Sequence, residues 1–270
     1  MIKKSSSIHR FIKVSLSSFI LFSLSAFSAY SQEMPKMNTD SASNKTKQMS
    51  DDEEIAHSFF THMGMPEAVG VFSLRLAALA TRMDDTQMNG TTQMGGKTKA
   101  DFAFHFETGL SKFVGLHIRN DRFLDNTHTE IMFQFAVIRS KDGMSGFSPV
   151  IEFEIPTKKG ASGINTMVGF STAFVKFRFA FNQVIHYNPQ KDMVDGSAAL
   201  VYKVNKRIFL VVEILGEKMP HESAIINLLG GIKVKFNNNF ILGIAYQQPT
   251  TTNKDFSSQY IFQPDIELKR

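Results

Sequence analysis

Residues 101–107 read Asp-Phe-Ala-Phe-His-Phe-Glu. Phe102, Phe104 and Phe106 fall on one side of an extended chain, and Asp101, Ala103, His105 and Glu107 on the other. A helix would spread three residues at this spacing around its circumference, whereas a strand sends successive side chains to opposite faces. The two-residue period therefore predicts a strand, and it persists to the end of the chain. Ile131, Phe133, Phe135 and Val137 oppose Glu130, Gln134 and Ala136. Ile151, Phe153 and Ile155 oppose Val150, Glu152 and Glu154. Phe177, Phe179 and Phe181 oppose Arg178, Ala180 and Asn182. Ile208, Leu210, Val212 and Ile214 oppose Phe209, Val211 and Glu213. Further runs centre on Ile232, Ile244 and Phe262. Twelve strands are expected, over 69–82, 99–108, 111–119, 128–140, 146–155, 163–173, 176–187, 195–204, 206–215, 222–235, 239–248 and 255–267.

The connections alternate as well. Long ones (83–98, 120–127, 156–162, 188–194, 217–222, 249–254) take turns with tight ones at 109–110, 141–143, 173–176, 205 and 237–238. A soluble β-sandwich would share the alternation, with its apolar face as core and its charged face in water. The strands here run nine to fourteen residues, longer than the usual five or six. Long loops on one side and short turns on the other are the layout of outer-membrane barrels. In lipid every strand must be paired on both sides, so the sheet must close. The fold class expected is all-β: a transmembrane antiparallel β-barrel with long extracellular loops and short periplasmic turns.

The N-terminal residues agree. Lys3, Lys4, Arg10 and Lys13 precede an apolar, serine-rich run at 14–29, followed by Tyr30 and Ser31. This is the pattern of a secretory signal peptide over 1–31, cleaved after Ser31; the apolar run is too short and too broken to anchor in a membrane. The chain carries a formal charge of +5, and losing this segment removes four positive charges and leaves +1. The basic balance thus belongs to export, and no nucleic-acid partner is expected. The sequence has 26 Phe, no Trp and no Cys, which excludes disulfides, thiolate nucleophiles and Cys-ligated metal centres. Residues 32–66 read as a flexible periplasmic linker with a possible short helix at 53–65 (Asp51 or Asp52 as cap), closed by Pro66, and residues 67–270 as the barrel.

The stretches MPEAVGVFSLRL (65–76), HIRND (117–121), 129–160, FNQVIHYNP (181–189), VVEILGEK (211–218) and FSSQYIFQPDIEL (256–268) together resemble bacterial outer-membrane barrel transporters, similar to the outer-membrane proteins of phenol-degradation operons. The resemblance covers roughly residues 65–270. It implies a Gram-negative outer membrane, with its lipid and the barrel-assembly machinery as partners, and passive transport of small solutes, hydrophobic ones among them. Such proteins usually end in an aromatic residue, where this chain has Lys269 and Arg270. They also usually place Trp at the membrane interfaces, where Tyr187, Tyr246 and Tyr260 are the candidates here.

The parity of the strands gives the lumen-lining candidates: Arg75, His105, Glu107, His117, Arg119, Glu130, Gln134, Glu152, Glu154, Lys176, Arg178, Asn182, His186, Lys203, Glu213, Asn227, Lys233, Lys235, Gln259, Gln263, Asp265 and Glu267. Both signs are present in similar numbers. Two functions fit: a polar passage that selects a solute, or a lumen filled by mutual salt bridges in a structural barrel. A third reading, a surface enzyme that modifies lipid (a hydrolase or acyltransferase), is less expected than either. Ser171 and Ser197 face inward without a G-x-S-x-G motif, and His128 and His221 sit at loop edges with no serine and acid beside them. No cofactor is expected. His57, His62, Met63 and Met65 cluster before the barrel, with Met34, Met37 and Met49 upstream, and such ligands suit Cu(I), but their spacing matches no metal-site pattern.

Overall fold

A computed structural model describes residues 56–83, 97–124, 128–157 and 163–269. The expected signal peptide, residues 32–55 of the expected linker (with Met34, Met37 and Met49), and residues 84–96, 125–127 and 158–162 of three long connections lie outside the described residues.

The strands are β1 (Val71–Arg82), β2 (Thr98–Ser111), β3 (Val114–Asn120), β4 (His128–Phe135), β5 (Ile138–Arg139), β6 (Gly146–Pro156), β7 (Asn165–Lys176), β8 (Phe179–Asn188), β9 (Met193–Lys203), β10 (Ile208–Lys218), β11 (Ile225–Asn237), β12 (Phe240–Pro249) and β13 (Ser258–Lys269). β4 and β5 occupy one place in the wall. Both pair with β6, and the chain is interrupted between them at Ala136 and Val137. Sequence neighbours are sheet neighbours throughout, and β1 pairs with β13 from Val71↔Lys269 to Arg82↔Ser258. The result is a closed antiparallel barrel of twelve strands. Closure removes the open edges that would otherwise present unpaired backbone groups.

The two faces divide as the alternation dictates. In β10, Ile208, Leu210, Val212 and Ile214 are exposed while Phe209, Val211 and Glu213 are buried. In β2, Asp101, Ala103, His105 and Glu107 are buried and Phe102 is exposed. The apolar side is thus the outside of the barrel and the polar side its interior, the reverse of a soluble sandwich. Exposed Phe, Ile, Leu and Val on strand after strand form a coat that water would penalise and lipid would not. Tyr187, Tyr246 and Tyr260 are all exposed near the long-loop end; the Tyr246 and Tyr260 rings pair at 5.2 Å, and the Tyr187 hydroxyl donates to Asp192.

Two expectations are corrected. The first concerns the residues ahead of β1. Residues 56–65 form no helix, and apart from the half-buried Met63 every residue from 56 to 66 is buried. A helix would satisfy its own backbone groups. Here side chains of the wall reach them instead, and the segment lies inside the barrel. The second concerns Arg178. Phe177 and Arg178 form the two-residue turn between β7 and β8, with Phe177 at φ 55°, and Arg178 is exposed. Alternation stops where the strand does, so its parity carried no inward meaning. Lys176, the last residue of β7, is exposed as well.

Candidate functional site

The lumen has two unlike halves. At the short-turn end it is occupied by residues 56–66. Arg139 of β5 donates from Nη2 to the Pro66 carbonyl (3.4 Å) and from Nη1 to the Lys112 carbonyl (2.6 Å). Met65 is buried, and its sulfur accepts from the Ser148 hydroxyl at 3.6 Å. The Gly64 amide donates to Asn182 Oδ1 (3.0 Å), and its carbonyl accepts from Ser171 Oγ (3.2 Å). Gln134 donates from Nε2 to the Met63 carbonyl (2.9 Å).

Glu213 is the centre of this half. Its carboxylate, fully buried, accepts from the amides of Phe59, Phe60 (3.0 Å) and Thr61 (2.9 Å), and from the Thr61 hydroxyl (3.0 Å). Hydrogen bonds to a buried charge contribute about 1.5–3 kcal/mol each. The opposite side is served by cations. The Ser58 carbonyl accepts from Arg75 Nη1 (3.0 Å) and Lys233 Nζ (2.9 Å), and the Phe59 carbonyl accepts from Gln263 Nε2 (2.9 Å). Lys233 also donates to Gln263 Oε1 (2.8 Å) and Asp265 Oδ2 (2.6 Å), and stands 4.6 Å from the centre of the Phe59 ring.

The wall makes room for that ring. A Cβ on Gly231 would lie 2.6 Å from it and one on Gly243 2.7 Å, so only glycine fits at either position. Beside it, Arg75 pairs with Glu107, and His57, His62 and His117 surround the same carboxylate at 3.3–3.5 Å. His57 reaches on to Glu67 at 3.3 Å.

The long-loop half holds a cavity of about 230 Å³. Asp121, Glu130, Glu154, Asp195, Glu217 and Asp255 line it, against Arg119 and His186 as the basic groups. Arg119 pairs with Glu130 and lies 3.8 Å from Glu152. His186 bridges Asp195 (3.0 Å) and Glu152 (3.6 Å), and Glu154 accepts from Lys191 Nζ (2.8 Å) and Asn165 Nδ2 (2.6 Å). Asp121 follows β3. Burial pushes its carboxyl up, but Arg119 and His105 beside it outweigh burial and hold it below the usual carboxylate range.

The sequence candidates distribute over both halves. Arg75, Glu107, His117, Gln134, Asn182, Glu213, Lys233, Gln263 and Asp265 gather around the internal segment. His105, Arg119, Glu130, Glu152, Glu154, His186 and Asn227 lie toward the cavity. Gln259 donates to Thr81 Oγ1 (2.7 Å), Lys203 is buried 6.0 Å from the Phe209 ring, Lys235 is buried, and Glu267 pairs with Lys269 at the rim. Arg178 and Lys176 belong to neither group. His57 and His62 enter the lumen; Met63 and Met65 enter too, but their sulfurs meet Asn182 and Ser148 rather than the histidines. Sequence reasoning missed Ser58, Phe59 and Thr61 as wall partners. Its available signal was the set of small inward residues, Gly115, Gly231, Gly243 and Ala245, which leave space that something else must fill.

The fold defines the class: a closed twelve-strand antiparallel β-barrel with an apolar outside and a polar interior. An outer-membrane channel from Pseudomonas putida F1 is similar to it, with 8% identity, a TM-score of 0.54, and coverage of 76% of this chain and 98% of that one. The KdgM porin (10% identity, TM-score 0.51, 73% and 99% covered) and the NanC porin (6%, 0.50, 74% and 99%) share the fold. No family model and no curated protein matches the sequence.

Proposed function

We propose that this chain is an outer-membrane passive channel for small solutes, held closed by its own residues 56–66. The observation that carries the reading is the seating of that segment: a buried carboxylate, two buried cations and three side-chain amides of the wall all bind its backbone. A lumen filled only for stability needs no such arrangement, because its charges satisfy one another. The apolar coat, the export signal read at 1–31, and the similarity of the fold to an outer-membrane channel and two porins support the outer membrane and passive transport. The short turns then face the periplasm and the long loops the outside. The charged side chains sit as ion pairs and as supports of a backbone, which favours transport over chemistry on a substrate. Six carboxylates around the cavity favour cationic or neutral polar solutes and repel anions. Among the small solutes implied by the resemblance to phenol-operon proteins, that favours the polar over the hydrophobic.

Planar-bilayer recording tests the proposal. The intact protein gives rare, brief openings. A folded, heat-modifiable Glu213→Ala variant, which loosens the segment, gives sustained conductance. A loosened barrel that stays silent identifies a structural barrel and overturns the channel reading.

A further inference from the structure

Three donor atoms from distant parts of the chain converge where the internal segment meets the wall. His62 Nδ1 lies 3.2 Å from His117 Nδ1 and 3.5 Å from Glu107 Oε1, and His117 Nδ1 lies 3.3 Å from that same oxygen. The centre of such a triangle is about 1.9 Å from each corner (mean edge over √3). An ion slightly off its plane therefore makes three bonds of about 2.0–2.1 Å, the range of Zn–N and Zn–O bonds.

The tautomer of His117 points the same way. Gln134 donates from its amide nitrogen to the Met63 carbonyl and Ser171 Oγ, so its oxygen, 3.0 Å from His117 Nε2, accepts. Neutral His117 thus carries its proton on Nε2 and a bare lone pair on Nδ1, facing the Glu107 carboxylate. Lone pair against carboxylate is repulsive, and a cation between them removes the repulsion. A ligand imidazole whose other nitrogen donates to a carbonyl is also the usual outer arrangement of a metal site. All three side chains are 1% exposed or less, and His62 Nε2 has no hydrogen-bond partner among the described residues.

We propose that His62, Glu107 and His117 bind one divalent transition-metal ion, Zn²⁺ by geometry and donor set, which clasps the internal segment to β2 and β3. Two imidazoles and one carboxylate oxygen suit Zn²⁺, Co²⁺ or Ni²⁺, whereas Ca²⁺ and Mg²⁺ take all-oxygen sets. Arg75 shares the same carboxylate oxygen and its charge weakens the site. His57 supports Glu107 through the other oxygen, at 3.4 Å. Because His62 arrives with the segment, an ion is captured as the segment seats.

The test uses the untagged, folded, full-length mature protein in detergent, stripped with chelator and titrated with Co²⁺. One equivalent gives the visible absorption of four-coordinate Co²⁺, which Zn²⁺ displaces and Mg²⁺ does not. His62→Ala and His117→Gln each weaken binding at least about tenfold. His221→Ala, at an exposed loop histidine, leaves it unchanged. His62 lies outside the wall, so its variant retains heat-modifiable migration. No Co²⁺ absorption from the folded wild type, or binding that survives His62→Ala, overturns the site. The readout is spectroscopic and independent of conductance, so failure of the channel reading and failure of the metal site are distinguishable.

Discussion

The two halves of the lumen are built from one wall and one alphabet of residues, yet they are finished differently. In the short-turn half, charged side chains point at a backbone: Glu213 at three amides, Arg75 and Lys233 at one carbonyl. In the long-loop half they point at one another or at a cavity, as in Arg119 with Glu130 and His186 with Asp195. The wall therefore does not by itself decide whether the barrel is open. In the proposed reading, closure belongs to residues 56–66, which lie outside every strand.

The largest expected effect comes from removing the centre of the filled half. Glu213→Ala strands three buried amides and costs the seated segment about 3 kcal/mol or more. Hydrogen exchange of Phe59, Phe60 and Thr61 should accelerate by at least about a hundredfold, while the β10 and β11 amides keep their protection. If the strand amides lose protection equally, segment and wall form one cooperative unit and the contrast between halves fails.

Next comes crowding. Gly243→Val puts a side chain into the Phe59 ring and should unseat the segment at a cost of about 1–3 kcal/mol. Adding Phe59→Ala should restore much of it, and a double-mutant cycle showing no coupling would mean that the ring does not rest there. A smaller effect separates two adjacent residues of β11. Gly230 points outward with open space around its Cβ position, whereas Gly231 points at Phe59 and Ala245. Gly230→Ala should stabilise the barrel by about 0.5–1 kcal/mol, by removing backbone freedom from the unfolded chain, and Gly231→Ala should destabilise it. Matching signs in a denaturant titration would break the assignment of faces. Smallest is the cavity. In a loosened channel, Glu217→Gln with Asp255→Asn should lower cation preference by less than about twofold in reversal-potential measurements, because both carboxylates are wetted and screened by salt.

These expectations rest on features of unequal visibility in the sequence. The barrel was legible because alternation is local: seven residues at 101–107 already separate an outer from an inner face, and seven further runs repeat the rule. Closure followed from paired edges in lipid rather than from any one residue. Arg178 was misplaced because parity was extended past Lys176 into a turn. The internal segment was illegible for a different reason. Acids and a cap at 51–54 favour a helix locally, but Phe59–Thr61 take their acceptor from Glu213, some 150 positions later. His62 was visible as a possible ligand. Its partners Glu107 and His117 were visible only as inward residues, since no spacing rule links position 62 to two strands about fifty residues downstream.

The short run from Glu67 to Gly70 joins the internal segment directly to β1. The barrel therefore carries its own tethered ligand. A link this short holds such a ligand at an effective concentration in the millimolar range. Individually weak contacts then suffice for near-complete occupancy, and occupancy does not change on dilution. A separate peptide of residues 56–66, added to a barrel whose own segment has been dislodged, must reach about that concentration to silence it.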